Sequence, residues 1–234
     1  MSDQTNCKAA LDPNFIETIE LLNKHEIPYW VCHGTLLGLI RDGSLIPWDH
    51  DIDIAIWAGD FSKQSLIDLM NDNGYSLKND GSDYDFVAFV KVGGREIDFN
   101  YYRTSDDVNM AYSEWYIPRS RLTSLLSLIS NRSEYNGKGR SLVRQLYFLS
   151  PVIGYIVRLL KRSGLFYKSA GYTTPTNLLK ESTVLELSGI NIRVPRHSEA
   201  VLEYLYGEDW RVPKQLFDWM KESPSTRISK SRFK

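Results

Sequence analysis

In the run YWVCHGTLLGLIRDGSLIPWDHDIDIAIW (residues 29–57), Asp49, Asp51 and Asp53 recur at every second position, and Ile52, Ile54 and Ile56 fill the alternate ones. That is a strand period, so the carboxylates line one face and the isoleucines enter a core. A helix would also bring Asp49 and Asp53 together, but the β-branched alternation argues for a strand. Three acids on one face repel one another, and a divalent cation shared with a polyphosphate substrate offsets the repulsion. Asp51 and Asp53 are therefore the expected metal ligands; His50, between two acids, points to the opposite face.

Working outward, Tyr29 to Cys32 is short, apolar and β-prone, which predicts a first core strand. His33-Gly34-Thr35 then turns into a short helix carrying Leu36, Leu37, Leu39 and Ile40. Thr35 is expected to cap it, leaving Gly34 and the first-turn N–H groups to face a phosphate. Arg41 closes that helix, either as a solvated charge or as a fork reaching substrate phosphates. Upstream, Asp12-Pro13 starts an amphipathic helix over residues 13–25. Downstream, a helix is predicted over 61–73, followed by strands at 84–92 and 95–102 joined by Gly93-Gly94. The second strand, in REIDFNYY, carries Asp98; paired with the Asp51–Asp53 strand, it would complete a three-carboxylate metal centre.

The remainder divides into three parts. Residues 106–118 read as irregular, with Trp115, Tyr116 and Ile117 packing on the domain. Residues 120–130 and 140–161 read as helices, the latter interrupted at Pro151. The apolar run YFLSPVIGYIVRLLKR is either a buried helical lobe, the preferred reading, or a helix lying on a membrane with Arg158, Lys161 and Arg162 at the headgroups. VLELSGINIRVP predicts a strand pair turning at Gly189, and a helix from Ser198 ends at Gly207. Arg193, Arg196 and Arg211 supply positive charge to a region expected to fold back towards the acids. The serine-rich basic tail SPSTRISKSRFK is expected to fray or touch an anionic surface.

At 234 residues the chain can bury a sizeable core. A formal net charge of −1 implies no global attraction to nucleic acid. Two cysteines, Cys7 near the terminus and Cys32 in an apolar strand, suggest neither a disulfide framework nor structural zinc. The sequence shows no secretory signal and no uninterrupted 18-residue apolar run, so a cytoplasmic location, at most at the inner face of the cytoplasmic membrane, is the expectation.

Strand, glycine turn, short helix, DxD strand and a later third acid together predict an α+β fold: a polymerase-β-like nucleotidyltransferase core with a mixed sheet flanked by helices, plus a helical insertion or lobe. The expected divisions are 1–118 for the catalytic core, 119–180 for the helical lobe, 181–222 for a strand-helix element packed on the core, and 223–234 for the basic tail. One or two Mg²⁺ ions, or Mn²⁺, would bridge the carboxylates and donor phosphates. Asp98 is also placed to help remove an acceptor hydroxyl proton.

The sequence resembles the LicD and fukutin group of phosphotransferases. The resemblance rests on HGTLLGLIRDGSLIPWDHDIDIAIW, on the acid in REIDFNYY, and on SGINIRVP followed by YLYGEDWRVP. It implies transfer of a phospho-alcohol, phosphocholine or ribitol phosphate, from a CDP-linked donor to a glycan hydroxyl with release of CMP. It also implies metal binding by Asp51, Asp53 and Asp98, and donor and phosphate binding around His33, Gly34, Thr35 and Arg41, with Asp49 beside them. The chain looks more like the bacterial branch, whose members decorate surface polysaccharide or teichoic acid precursors. Expected partners are a CDP-alcohol donor and a glycan or lipid-linked glycan acceptor, with peripheral membrane contact and no nucleic acid; the oligomeric state stays open. For the alcohol, Trp115, Tyr101, Tyr102 and Tyr112 offer rings for a choline cage, while Asn100, Asn109 and Arg103 offer hydrogen bonds for an alditol. Two other classes remain: a nucleotidyltransferase leaving NMP on a small molecule with release of pyrophosphate, and a non-catalytic glycan-binding protein.

Overall fold

The computed structural model describes residues 11–78, 85–105, 109–132, 137–163 and 167–229. The first helix, α1 (Pro13–Lys24), starts where the sequence places it: the Asp12 carboxylate accepts the N–H groups of Asn14 and Phe15, and proline occupies the first turn. Phe15, Ile19 and Leu22 bury its inner face. The chain then forms β1 (Trp30–Val31), α2 (His33–Arg41) and β2 (Asp51–Trp57). Along β2 the alternation is realised. Ile52, Ile54 and Ile56 are fully buried while Asp51 and Asp53 stay partly open, each isoleucine contributing about 1.5–3 kcal/mol by its burial.

After α3 (Lys63–Asp72) come the short strand β3 (Ser76–Leu77) and the pair β4 (Phe86–Val90) and β5 (Glu96–Ser105), joined through Gly93-Gly94. Residues 79–84, including the expected start of the 84–92 strand, lie outside the described residues. The Gly93-Gly94 turn docks on the start of α1. Arg95 N–H donates to Asp12, Asn14 Nδ2 donates to the carbonyls of Lys91 and Arg95, and a Cβ on Gly94 would fall 2.5 Å from Asp12 Oδ1.

Strand β5 is the hub of a mixed sheet. It runs parallel to β2 from Asp51↔Glu96 to Trp57↔Tyr102 and antiparallel to β4, and its far end pairs with β6 (Met110–Pro118). The sheet continues through β7 (Tyr167–Pro175) to β10 (Thr226–Ser229), so among the described residues it has eight strands, and helices flank it. This is the expected α+β architecture of a mixed sheet flanked by helices.

Three stretches differ from the sequence reading. Residues 110–118, expected to be irregular, form β6. Its signal was weak because most of its side chains are half-buried on both faces, without a clean alternation. Residues 167–175, assigned to a helical lobe, form β7, which pairs with β6 over its whole length from Met110↔Pro175 to Pro118↔Tyr167. Its Ser, Gly and Lys content hides it from an apolar-period reading, yet Gly171 is what lets β7 close on β6, since a Cβ there would run into the Ser113 carbonyl oxygen. The tail, expected to fray, instead adds β10 to β7 at residues 226–229, above a buried Ser223 and Ser225; residues 230–234 lie outside the described residues.

Between β6 and β7 the chain makes a helical excursion, α4 (Arg121–Ser130), α5 (Arg140–Gln145), a 3₁₀ turn over Leu146–Leu149 and α6 (Ser150–Ser163). A short α7 (Thr176–Leu179) leads to the hairpin β8 (Ser182–Leu187) and β9 (Ile190–Pro195). Ser188 and Gly189, both at positive φ, make the expected turn. Ile190, Ile192 and Val194 of β9 are buried in the main core beside β1 and α1. Helix α8 (Ser198–Tyr206) and the one-turn α9 (Trp219–Glu222) complete the fold, α8 ending at Gly207.

Candidate active site

The parallel register of β2 and β5 sets Asp53 directly across from Asp98, with Asp51 two residues before Asp53 on the same face. One loop earlier, Asp49 meets the first turn of α2. A Cβ on Gly34 would fall well inside contact distance of Asp49 Oδ2 and 3.7 Å from Asp53 Oδ2, so only glycine fits between them. Asp49, Asp51 and Asp53 line a cavity of about 330 Å³ together with His33, Gly34 and Trp48. Asp51 and Asp53 also line a second compartment of about 210 Å³, which Asp98 and Asn100 enter from β5. Asp51 and Asp53 thus form a wall shared by the two compartments, with Asp49 on one side and Asp98 on the other.

Their electrostatics follow from crowding in a buried place. Burial pushes the Asp49 carboxyl up to about 7, helped by a shared hydrogen bond and the charge of Asp51. The Asp53 carboxyl lies well above the usual range, first through burial and then through the charges of Asp51, Asp98 and Asp49, although the Gly34 N–H donates to it and pulls the other way. Asp98 is likewise held high by burial and by Glu96 and Asp51. Its Oδ1 is buried with no hydrogen-bond partner, and buried carboxylate oxygens rarely stay orphaned. This all-oxygen, multiply charged donor set suits a hard divalent cation. Among the described residues no three metal-ligating side chains converge on one point as they stand, and the carboxylates would have to rotate inward to share an ion.

The α2 turn is built differently from the sequence expectation. The helix begins at His33 with Cys32 at its cap and no side-chain cap bond. Thr35 lies inside the first turn, where its Oγ1 accepts the Asp53 N–H at 2.8 Å and so ties α2 to the acidic strand. A local capping pattern could not disclose that partner. His33 sits at positive φ and is buried, its Nε2 3.3 Å from the Tyr102 hydroxyl and its ring 4.1 Å from that of Tyr172. Burial drives its pKa down to about 3, so its imidazole is neutral and offers a phosphate no charge. Arg41 does not line either acid compartment: its guanidinium forks onto the neighbouring Asp42 at 2.8 and 2.7 Å. Cys32 is buried, its thiol pushed up by burial, in keeping with a small core hydrophobe.

Several wall residues were not anticipated. Tyr172 of β7 and Trp219 of α9 line both compartments. They form an aromatic cluster with Trp115, the three ring centroids lying 5.3–5.7 Å apart, and Phe86 adjoins it at 6.3 Å from Trp115. Of the rings proposed from sequence only Trp115 reaches the site. Tyr101 and Tyr102 are buried in the core, and Tyr112 lines neither compartment. Asn100 is placed as proposed, whereas Arg103 pairs with Asp85 at 2.7 Å. The cation lining the larger cavity is Lys214, 2.8 Å from Asp209; Arg196 and Arg211 pair with Glu181 and Glu199 instead. The signal for Tyr172, Lys214 and Trp219 lies in chain segments that meet the acids only in three dimensions.

Residues 26–127 match the family model described as LicD/FKTN/FKRP, nucleotidyltransferase domain. The chain is 23% identical to the human ribitol-5-phosphate transferase FKTN over 207 residues, 88% of this chain and 34% of that protein. It is 27% identical to the human ribitol 5-phosphate transferase FKRP over 129 residues, 55% of this chain and 24% of that protein. An uncharacterized protein of Rickettsia typhi is 33% identical over 102 residues, 42% of this chain and 31% of that protein. The chain therefore spans about a third or less of these relatives. Among solved structures, the lincomycin-bound lincosamide antibiotic adenylyltransferase LnuA aligns with 81% of this chain and 82% of its own, at a TM-score of 0.43 and 13% identity. Gly34, Asp49, Asp51, Asp53 and Asp98 all lie inside the segment that matches the LicD/FKTN/FKRP nucleotidyltransferase-domain model, so the similarity to that family covers the whole acidic site.

Proposed function

We propose that this protein transfers a phospho-alcohol, phosphocholine or an alditol phosphate such as ribitol phosphate, from a CDP-linked donor to a hydroxyl of a surface-glycan or teichoic-acid precursor, releasing CMP. The observation that carries the reading is the facing pair Asp53 and Asp98, with Asp51 beside them, on a wall reached through the Gly34 turn. The carboxylates of Asp51, Asp53 and Asp98 would hold Mg²⁺ or Mn²⁺, which when bound polarises the phosphorus and steadies charge on the leaving phosphate.

The chain's own residues supply the rest. Gly34 lets the Asp49 carboxylate close against the first turn of α2 beside Asp53, keeping both acids on the cavity wall. Lys214 places a positive charge in the same cavity as the acids, where a diphosphate brings negative charge. Phe86, Trp115, Tyr172 and Trp219 give the smaller compartment flat apolar walls, suited to stacking a pyrimidine or enclosing a trimethylammonium group. Asp98 Oδ1, buried without a partner, would accept the proton of an acceptor hydroxyl once its own carboxyl has ionised.

The test is CMP release from CDP-choline, CDP-ribitol, CDP-glycerol and CDP-ethanolamine, each with soluble or lipid-linked glycan acceptors. Divalent-dependent, acceptor-stimulated release from one donor, lost in Asp53→Asn, is the expected result. Pyrophosphate release from an NTP with no turnover of any CDP-alcohol would sink the reading in favour of nucleotidyl transfer.

A further inference from the structure

The helical excursion wears its apolar face outward. Along the 3₁₀ turn and α6, Ser150, Gly154, Val157 and Lys161 are buried, and a Cβ on Gly154 would stand 3.2 Å from Ser130 Oγ of α4. The opposite face, at helical spacing, is Phe148, Val152, Tyr155, Ile156 and Leu159, exposed by 74, 61, 60, 41 and 50%. Leu122 of α4 and Leu142 of α5 are exposed by 63 and 62%. A helix packed against its own domain normally buries its apolar stripe. Here the inner face holds Ser150, Gly154 and Lys161 beside Val157, while five large apolar side chains stay outside, so the lobe is not the buried element that the sequence favoured. A contiguous exposed apolar face marks an interaction surface.

Charge identifies what covers it. Residues 119–163 hold nine Lys and Arg against a single Glu, a formal charge of +8 in a chain whose total is −1. The rest of the chain therefore carries −9, and the positive charge is concentrated on the segment with the bare apolar face. Arg121, Arg140, Arg144 and Arg158 are all exposed there. Apolar face plus cationic flanks is the chemistry of an anionic lipid surface. We infer that the α4–α6 lobe docks the protein onto an anionic membrane, lying in the headgroup region.

The lobe lies on the bilayer and does not cross it. The stretch Arg140–Lys161 is long and apolar enough to span by length and composition alone. However, Pro118 pairs directly with Tyr167, so the chain leaves and re-enters the sheet at one point and would need a second crossing segment. The ten-residue α4 reaches only about 15 Å, half the hydrocarbon thickness. Strands β6 and β7, which carry the lobe, also carry Trp115 and Tyr172 into the cavity, so docking would set the acids near the membrane surface.

The experiment is sedimentation of the full chain with vesicles of phosphatidylcholine containing phosphatidylglycerol, and with phosphatidylcholine alone. Binding is expected to the anionic vesicles only, and to weaken as salt rises. Phe148→Glu with Ile156→Glu should abolish it, while Arg140→Gln with Arg144→Gln should weaken it by about 25-fold, roughly five-fold per charge removed. Both pairs are exposed, so circular dichroism and the thermal midpoint should stay those of the parent. Equal binding to both vesicle types, or to neither, overturns the inference. So does a dimer in light scattering that Phe148→Glu dissociates, because a second copy would then be the occupant.

Discussion

Replacing Asp53 by Asn should stabilise the metal-free protein while removing its response to divalent ions. Asp53 faces Asp98 across β2 and β5, and Asp51 and Asp49 add their charges to it. Cross-strand neighbours stand about 5 Å apart, and at an effective dielectric of about 20 two unit charges at that distance repel by about 3 kcal/mol. Whether Asp53 ionises against this repulsion or takes a proton to avoid it, the metal-free fold bears the cost. Water in the cavity and the Gly34 N–H recover part of it, leaving a gain of about 2 kcal/mol for the isosteric amide. In a chain of this size that raises Tm by about 4–8 °C.

The pH dependence has a definite sign. Below about pH 4 the carboxyls are protonated in both folded and unfolded chains, and the fold has its full stability from them. As pH rises the unfolded carboxyls ionise first, near 3.8, while Asp49 holds its proton to about 7 and Asp53 and Asp98 are also held high. Metal-free stability therefore falls between about pH 4 and 7, and Asp53→Asn flattens that slope. Thermal unfolding by circular dichroism in EDTA and in Mg²⁺, across this range, measures both effects. A lower Tm for Asp53→Asn in EDTA, or a Mg²⁺-induced rise equal to that of the parent, would refute the reasoning.

Gly34→Ala should cut turnover by about 100-fold by pushing Asp49 out of place, with an unchanged circular dichroism spectrum; normal turnover would show that Asp49 is free to move. Ile54→Ala, in the middle of β2 with no exposure, should cost about 3–4 kcal/mol in chemical denaturation and lower Tm by about 10 °C. Trp219→Ala should raise the donor KM by about ten-fold with kcat little changed, because a lost stacking platform weakens binding by about 1–3 kcal/mol. An unaffected KM would remove Trp219 from the donor site.

What the sequence disclosed was what could be stated locally. The period of Asp51, Ile52, Asp53, Ile54 is visible within a few residues, and the strand follows from it. The Gly93-Gly94 and Gly189 turns are local in the same sense. Asp98 could be named as a third acid, but its placement opposite Asp53 depends on a parallel pairing across 45 positions of sequence. Thr35 shows the limit: capping chemistry made it a cap, whereas its hydroxyl serves a backbone N–H eighteen residues away. The lobe shows another. Composition marked α6 as apolar, but no local rule says which face of such a helix meets the protein, and here a row of large apolar side chains faces outward although Val157 is buried.

The same distinction separates the two halves of the site. Every acid lies within residues 26–127, the segment that matches the family model. Tyr172, Lys214 and Trp219 lie beyond it, on β7, on the segment after α8 and on α9. Tyr172 sits on β7, which pairs with β10 at the far end of the sheet, so part of the wall beside the acids comes from chain that contributes no carboxylate, while Phe86 and Trp115 come from the matched segment. Substitutions in the first segment should therefore change rate and metal response together. Substitutions in the second should change which alcohol is accepted while leaving the metal response intact. Measuring Mg²⁺-induced Tm shifts beside donor KM values for Asp51→Asn and Trp219→Ala separates the two, and a Trp219→Ala variant that loses its Mg²⁺ response would show that walls and acids are not independent.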